Sequence, residues 1–325
     1  MPTAFVTGAT GFLGRHLVDV LTEEGWQIHI LVRDRKAAEN LFGDRVTYVE
    51  GRLTEPFAYA AQVPEGLDAF FHIAANTSTW AKEAAEQYLV NVEGTAALLQ
   101  LATDKNVRRF IHVSSTSVYG IHKELVTEET EKLGASSWVS YVHTKTFAER
   151  KVKEATWRGT DAVIVNPTHI VGTYDSHNWA RLIIRHAHGD LPGTPPGAGN
   201  FANARAVAEA VVAAFHKGRT GENYILGGPY ATMHEFLALA SAKLGLPEPK
   251  KPVPAFLLTL AANLMALGAI FTGKRPKVTR EEAYFACETV DASSEKAVRE
   301  LDYRIVPLDE SVAECVDYLK SENLV

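Results

Sequence analysis

The chain has 325 residues, of which 46% are hydrophobic and 22% charged, and its formal net charge is −6. These values are ordinary for a soluble globular protein with a large core, and they exclude a disordered chain or a fibre. A nucleic-acid binder shows a basic surplus, which is absent here, so no nucleic-acid partner is expected. Only two cysteines are present, Cys287 and Cys315, so we expect a reduced, cytoplasmic protein without a disulfide framework.

Short apolar runs alternate with amphipathic stretches through the first half of the chain. The predicted strands cover residues 4–7, 27–32, 46–49, 69–73, 110–114 and 162–166. The predicted helices cover residues 13–24, 36–41, 82–103 and 139–156, the last starting after a candidate N-cap at Ser136-Ser137. Strands separated by helices of this length predict an α/β fold with a doubly wound parallel sheet.

The character of the sequence changes after Asn166. Glycine and proline crowd residues 189–199, a helical pattern follows at 204–216, and a further short strand is predicted near 224–226. We therefore expect residues 1–170 to form a nucleotide-binding domain that regains a helix and a strand at about 200–228. The remainder of 171–325 is expected to form a smaller, mostly helical substrate-binding or lid part.

One segment, residues 252–273, contains no charged side chain. A membrane span needs about 20 apolar residues, and Asn263, Gly268 and two leading prolines interrupt this one. The segment is therefore predicted to be a buried or lid helix. A subunit contact in a homodimer stays open, and membrane contact through 254–271 is the less favoured alternative.

A glycine-rich turn follows the first predicted strand directly and opens the first predicted helix. Glycines in this position allow a tight turn and a close approach of the main chain to a pyrophosphate, and the free N–H groups of the helix start bind the anion. Because the turn directly follows a predicted strand and opens a predicted helix, as the dinucleotide-binding motif requires, it predicts a dinucleotide site. The residues of this site are Thr7, Gly8, Thr10, Gly11, Phe12, Leu13 and Gly14.

The end of the second predicted strand bears on the choice of cofactor. A carboxylate there binds the ribose 2′-hydroxyl of NAD, whereas an arginine accommodates the 2′-phosphate of NADP. Arg33 comes first after the apolar run, and Lys36, with Arg35 as a further candidate, adds positive charge. These residues favour NADP(H), although Asp34 could take the NAD role.

Tyr141 and Lys145 lie four residues apart in a predicted helix, so they share one face. A lysine ammonium lowers the pKa of a nearby phenol, which suits an acid–base pair. Tyr119 and Lys123 have the same spacing, but Gly120 follows the tyrosine, so this second pair is interpreted as a turn. Near the end of the fifth strand, Ser115 is the candidate to hold a carbonyl oxygen. Its rivals or supporting contacts are Ser114, Thr116 and Ser117.

The glycine turn, Ser115, Tyr141 and Lys145 together resemble the extended short-chain dehydrogenase/reductases of the NAD-dependent epimerase/dehydratase superfamily. Within it, the Leu31-Val32-Arg33-Asp34 stretch is similar to the dihydroflavonol-reductase-like branch. The resemblance implies a Rossmann-type fold, Tyr141 as proton donor, Lys145 as ribose contact and Ser115 as carbonyl holder. It also suggests that Asn91 orders the site, with a structural role equally open. Further cofactor contacts are expected from Arg52, Leu53, Ala74, Ala75, Ser114, Pro167 and Thr168.

The sequence departs from the family pattern at three places. Arg52 stands where an acidic residue usually accepts from the adenine amino group, so it must stack on the base, contact the phosphate or turn away. The usual Gly-Pro after strand six is Gly172-Thr173, and the stretch 201–206 lacks its usual acidic character. The last two departures affect the expected substrate contacts and lid geometry.

The leading hypothesis is an NADP-dependent carbonyl reductase or alcohol dehydrogenase acting on a small molecule. From position alone, Thr79, Thr116 and His169 are candidate substrate contacts. The alternatives are an NAD-dependent nucleotide-sugar epimerase or dehydratase, with Arg181 and Arg185 as candidate clamps, and a non-catalytic sensor or scaffold. No metal is expected, because no ligand spacing is formed by His169, His177, His186 and His188.

Overall fold

The computed structural model describes residues 1–325. The strands are β1 (Thr3–Thr7), β2 (Gln27–Val32), β3 (Thr47–Glu50), β4 (Ala69–His72), β5 (Arg109–Val113), β6 (Ala162–Pro167), β7 (His169–Val171), β8 (Ala198–Asn203), β9 (Asn223–Leu226) and β10 (Tyr230–Thr232). The helices are α1 (Phe12–Glu23), α2 (Arg35–Phe42), α3 (Pro56–Tyr59), α4 (Ala84–Tyr88), α5 (Gly94–Asp104), α6 (Ser140–Trp157), α7 (Ala180–Ala187), α8 (Ala204–Lys217), α9 (Met233–Leu244), α10 (Ala255–Thr272), α11 (Arg280–Cys287), α12 (Glu295–Leu301) and α13 (Leu308–Ser321).

Seven strands form a parallel sheet in the order β3-β2-β1-β4-β5-β6-β9. The predicted α/β, doubly wound Rossmann-type fold is confirmed. The strand order reverses between β1 and β4, and open sheets of this kind bind ligands at the carboxyl ends of the strands beside such a reversal. The fold therefore locates a binding crevice where β1, β4 and β5 end.

Helices cover both faces of this sheet. One core contains 36 buried residues, among them Leu17 of α1 and Val211 of α8, packed on one face. The core on the other face combines sheet residues with Leu98 of α5 and Val152 of α6. Because both faces are covered, strands such as β4 are buried along their whole length and do not alternate apolar with polar residues.

A second sheet of three strands, in the order β10-β8-β7, carries the C-terminal helices. Its own core includes Phe201 of β8, stacked on Phe236 of α9 with ring centroids 4.9 Å apart. Asn203 connects this part to α8, because its side-chain oxygen accepts from the main-chain N–H groups of Arg205 and Ala206 and caps the helix. Because β7 begins at His169, two residues after β6 ends, the three-stranded sheet starts at the carboxyl end of the large one.

The expected N-cap of α6 is wrong. The helix begins at Ser140, and its cap residue Val139 makes no side-chain capping bond. The Ser137 hydroxyl instead accepts from the Val139 N–H at 3.1 Å, within the turn that precedes the helix. A serine that satisfies the main chain of a local turn has the same sequence signature as a cap, which explains the error.

Of the two alternatives expected for residues 252–273, the buried helix is wrong, whereas the lid helix stays a prediction. These residues do form a helix, α10, but Ala262 is its only buried residue. By length and composition α10 is the one helix in the chain that could cross a membrane. An apolar run shows that a segment avoids water, but it does not specify what covers the segment. Here α11 packs on one side of α10, and the rest of the helix surface is exposed.

Candidate active site

The turn after β1 accepts only glycine at its closest approach to the sheet. Gly8 has φ +78°, and a Cβ placed on it would lie 2.6 Å from the main-chain nitrogen of Ala74, just beyond the end of β4. A Cβ on Gly14 would overlap the carbonyl oxygen of Gly8. Helix α1 then begins at Phe12 behind Gly11, with no side chain capping its first N–H groups. These groups are free to bind an anion, so the turn fits the pyrophosphate of a dinucleotide.

A cavity of ≈ 1670 Å³ opens beside this turn and extends to the C-terminal helices. It is lined by almost all the residues predicted for cofactor and substrate. They are Thr7, Gly8, Thr10, Gly11, Phe12, Leu13, Gly14, Arg33, Arg52, Leu53, Ala74, Ala75, Thr79, Ser114, Ser115, Thr116, Tyr141, Lys145, Pro167, Thr168 and His169. Lys36 is the exception, because it lies with Arg33 in a small depression next to the cavity. The predicted site residues are thus brought together around one cavity.

The side of the cavity near β2 is basic. Arg33 and Arg52 line it, and neither they nor Lys36 has an acidic partner, whereas Arg35 is paired with Glu39 at 2.8 Å. Asp34 caps α2, with its carboxylate accepting from the Ala37 N–H at 2.9 Å. The carboxylate that argued for NAD therefore has a structural partner. Glu50 also lines the depression, beside the basic residues Arg33, Arg35 and Lys36.

Tyr141 and Ser115 meet on the wall of the cavity below the carboxyl end of β5. Burial raises the pKa of the Tyr141 phenol above its usual value, and the hydrogen bond with the Ser115 side chain offsets only part of this rise. The Tyr141 ring packs edge-on against Phe285 of α11, with ring centroids 6.1 Å apart. The phenol is thus held between a hydroxyl on the sheet side and an aromatic ring on the C-terminal side.

Lys145 lies one helical turn beyond Tyr141 and is buried. Its ammonium donates to the Val113 carbonyl oxygen at 2.7 Å. Burial lowers the pKa of Lys145 to about 8, while the negative charge of Glu149 raises it. The lysine is therefore a buried cation whose charge depends on Glu149, and its expected effect on the phenol stays a prediction.

Glu149 was not singled out in the sequence, although it continues the Tyr141–Lys145 face of α6 by one turn. Lys132 forms a close ion pair with it, and it accepts from Ser114 Oγ at 2.8 Å and Asn166 Nδ2 at 3.0 Å. Burial raises the pKa of Glu149, but these partners outweigh the burial and hold it below the usual value. Asn166 Nδ2 also donates to the Ser115 carbonyl at 3.1 Å, so this carboxylate fixes the loop that carries Ser115.

A chain of buried polar contacts joins the glycine turn to α6. His72 contacts Thr7 Oγ1 at 2.8 Å and Thr95 Oγ1 at 2.9 Å through its two ring nitrogens. Thr95 donates to the Asn91 carbonyl at 2.6 Å, and the Asn91 amide donates to Thr144 Oγ1 at 3.1 Å. Burial lowers the pKa of His72 to about 3, so the ring is neutral. Asn91 stands in a π-helical turn between α4 and α5, which agrees with an ordering role.

The second tyrosine–lysine pair does not reach the cavity. Tyr119 ends a short 3₁₀ helix, is fully buried, and has a hydroxyl without a hydrogen-bond partner. Gly120 follows it with φ +76°, which confirms the interpretation of this stretch as a turn.

The far end of the cavity is mixed aromatic and apolar, with a few polar groups. The His169 ring packs on Trp179, with centroids 4.2 Å apart, and its Nδ1 has no partner. Thr79 accepts from Arg275 at 2.9 Å and donates to Glu282 at 3.3 Å. Glu288, which the sequence did not suggest, also lines the cavity, and burial raises its pKa to about 7.

Three of the four histidines considered as metal ligands have separate environments. His186 contacts Ser241 Oγ at 2.7 Å and His177 contacts Ser176 Oγ at 2.7 Å, whereas His169 packs on aromatic rings. The chain contains no group of three or more His, Cys, Asp or Glu side chains placed to hold a metal ion.

Comparison with known proteins agrees with this geometry. The model of the NAD dependent epimerase/dehydratase family matches residues 4–227, which include β1 to β9 and every part of the cavity described for the cofactor. The chain belongs to this family of nicotinamide-cofactor enzymes. The resemblance to the extended short-chain dehydrogenase/reductases is thereby confirmed.

The relatives span nearly the same length. A Synechocystis protein provisionally named as a dihydroflavonol 4-reductase is 29% identical, over 99% of this chain and 95% of its own. A Stigmatella aurantiaca protein, named 4-hydroxy-2-methyl-3-oxo-4-farnesyl-3,4-dihydroquinoline-1-oxide ketoreductase, is 30% identical over 92% of this chain and 91% of its own. The crystal structure of gox2253 superposes with a TM-score of 0.84 over 100% of both chains at 28% identity.

Replacing Gly8 by alanine is expected to abolish binding of a nicotinamide cofactor, because the added methyl group would displace Ala74 and the turn. Fluorescence titration with the reduced cofactor should show a Kd raised at least about hundredfold. Gly25→Ala is the matched control, since Gly25 has φ +74° but nothing within 4 Å of its Cβ position. It should lose about 1–2 kcal/mol of stability and keep its cofactor affinity; equal affinity loss in both variants would contradict the proposed contact.

Proposed function

We propose that this protein is an NADP(H)-dependent oxidoreductase that reduces an apolar aldehyde or ketone, or oxidises the corresponding alcohol, with Tyr141 as the proton donor. The observation that carries the proposal is that Tyr141, Ser115 and Lys145 line the same cavity as the glycine turn. A hydroxyl, a phenol and a buried cation beside a dinucleotide site provide what carbonyl reduction requires.

Each side chain has a distinct part in the reaction. The Ser115 hydroxyl donates a hydrogen bond to the carbonyl oxygen as negative charge develops there, and the Tyr141 phenol transfers its proton to the same oxygen. When bound, the cofactor supplies the hydride for the carbonyl carbon or accepts it in the reverse direction. The Tyr141 side chain is only partly accessible to solvent, which limits competition from water for this oxygen.

Lys145 and Glu149 support the phenol from one and two turns further along α6. The buried ammonium of Lys145 stabilises the phenolate that remains after proton transfer, and we expect it also to hold the cofactor ribose hydroxyls. The pKa of Lys145 is about 8 with Glu149 ionised beside it, so the lysine is mostly charged near neutral pH. Glu149 thus acts as a positioning residue that keeps Lys145 cationic and the Ser115 loop in place.

The preference for NADP rests on charge at the end of β2. The 2′-phosphate needs basic side chains that are not already neutralised, and Arg33, Arg52 and Lys36 meet this condition. The one carboxylate in the position typical of NAD binders, Asp34, is engaged as the cap of α2. These contacts support a site for the phosphorylated cofactor.

The substrate end of the cavity supports an apolar carbonyl compound. Its walls include Leu257, Leu258 and Ala261 of α10 and Phe285 of α11. The Stigmatella relative is named as a ketoreductase of a farnesylated oxo-quinoline, which is a lipophilic ketone. The shared length and the apolar walls make a substrate of this class our proposal for the present chain.

The alternative, a nucleotide-sugar epimerase or dehydratase, needs free basic groups to clamp a diphosphate. Arg181 and Arg185 do line the cavity, which favours this alternative. However, Arg181 and Arg275 both bind Glu282 at 3.2 Å, and Arg185 donates to the Asp190 carbonyl. Net consumption of NADPH with simple aldehydes and ketones distinguishes the two functions, because epimerisation consumes none.

Tyr141→Phe should lower kcat for carbonyl reduction about a thousandfold, because the proton donor is lost. Cofactor affinity should stay unchanged. The matched control is Tyr119→Phe, which removes a buried hydroxyl with no partner from the second Tyr-x-x-x-Lys pair. Reduction is followed by the absorbance of NADPH; if Tyr119→Phe were the inactive variant instead, the assignment of the proton donor would be wrong.

Arg33→Ala should weaken NADPH binding about ten- to hundredfold, because a charge-assisted hydrogen bond to the 2′-phosphate contributes about 1.5–3 kcal/mol. NADH binding should change little. Arg35→Ala is the control, since that guanidinium is already paired with Glu39. Affinities of both variants for both cofactors are measured by titration, and an equal loss for NADH and NADPH in Arg33→Ala would refute the NADP assignment.

The KM for an apolar substrate should rise several-fold as the pH passes upward through about 7, the pKa of Glu288. The raised pKa means that Glu288 is neutral below this value and charged above it, and a charged, hydrated carboxylate disfavours apolar binding. Glu288→Gln should remove this step and keep KM low at high pH. Measured KM profiles from acid to alkaline pH that coincide for the two proteins would exclude Glu288 from the substrate end.

A further inference from the structure

Helix α10 presents an extensive apolar surface to solvent. Phe256, Leu260, Leu264, Leu267 and Phe271 recur at spacings of three or four residues, so they form one stripe along the helix, and Phe271 is 89% exposed. Ile270, which is 75% exposed, widens this stripe. Contiguous exposed apolar surface of this kind marks an interaction site.

Both ends of α10 are basic, although the whole chain is acidic. Six basic and three acidic residues lie between positions 248 and 282; of the acidic ones, Glu281 is buried and Glu282 is paired with Arg275. The basic residues are Lys250 and Lys251 before the helix and Lys274, Arg275, Lys277 and Arg280 after it. Lys251, Lys274 and Lys277 are exposed and have no side-chain partner, so their charges are available.

The connections of α10 show that it lies along the protein rather than away from it. Before the helix, the Val253 N–H donates to the Thr194 carbonyl at 2.9 Å. After it, Thr279 begins α11 in a capping box with Glu282. Both ends thus return to the folded body, which suits a helix that lies in the plane of a surface.

We propose that α10 docks this protein on an anionic lipid membrane, with its apolar stripe among the acyl chains and the flanking lysines at the phosphate headgroups. The helix satisfies its own main-chain hydrogen bonds, which the lipid interior requires. Basic residues next to an inserted helix are attracted to the negative surface potential of such a membrane.

The charges disfavour a second copy of the chain as the occupant. In a symmetric dimer formed along α10, antiparallel helices would bring Lys251 of one copy near Lys274 and Lys277 of the other. Parallel helices would also place like charges together at each end. An anionic surface neutralises the lysines at both ends of α10, whereas pairing of two α10 helices places positively charged lysines next to one another.

The docked helix would also serve the cavity. Leu257, Leu258 and Ala261 line the substrate end, while the stripe on the same helix faces outward. A lipophilic carbonyl compound dissolved in the bilayer would therefore meet a cavity wall that is itself embedded there. This delivery step rests on the proposed function, but the docking does not.

The test is sedimentation of the full-length protein with vesicles of phosphatidylcholine alone or mixed equally with phosphatidylglycerol. We expect binding to the mixed vesicles that high salt weakens. Leu264→Ser with Ile270→Ser should lower binding about hundredfold, and Lys274→Gln with Lys277→Gln about thirtyfold. Controls of similar exposure elsewhere, Phe57→Ser and Lys123→Gln, should bind like the wild type.

Absence of binding to the mixed vesicles would overturn the docking proposal, as would binding that the α10 variants retain. A dimer without lipid that dissociates in the Leu264→Ser, Ile270→Ser variant would assign the stripe to a second copy and overturn it too. Reduction of a short, water-soluble aldehyde without vesicles should be equal in all variants. If no carbonyl compound is reduced while binding persists, the proposed function fails and docking stands.

Discussion

The approach of the main chain at Gly8 to Ala74 is the contact on which the rest of the site depends. It brings the turn after β1 against the end of β4, at the reversal of strand order, and it leaves no space for a side chain. Thr7, the last residue of β1, and His72, the last residue of β4, are joined by a hydrogen bond. This bond lies directly beside the contact between Gly8 and Ala74. The glycine turn and the end of β4, which line the candidate site together, are thereby fixed relative to each other.

Much of the fold and the candidate site could be predicted from the sequence, because both have local signatures. The strands are apolar runs, the glycine turn is contiguous, and Tyr141 and Lys145 share one face through helical spacing alone. The contacts that could not be predicted depend on residues far apart in the chain. Glu149 is buried only because Lys132, Ser114 and Asn166 surround it.

Two other features show the limits of sequence reasoning more sharply. Asp34 has the sequence signature of a ribose ligand and of a helix cap, and only the structure shows its bond to the Ala37 N–H. The apolar residues of α10 predict a helix, but a helix covered by protein and a helix left exposed have the same pattern. The composition of a segment shows that it is apolar, but whether protein or solvent surrounds the segment depends on the tertiary structure.

The position of β9 at the edge of the large sheet affects how the chain folds. Residues 223–226 complete a sheet whose preceding strand, β6, ends at Pro167. During synthesis β6 therefore remains an open edge, apolar on both faces, until more than fifty further residues have emerged. Unpaired edges of this kind are prone to intermolecular pairing. The nascent chain is thus most open to pairing with other chains between the synthesis of these two strands, before the C-terminal helices are made.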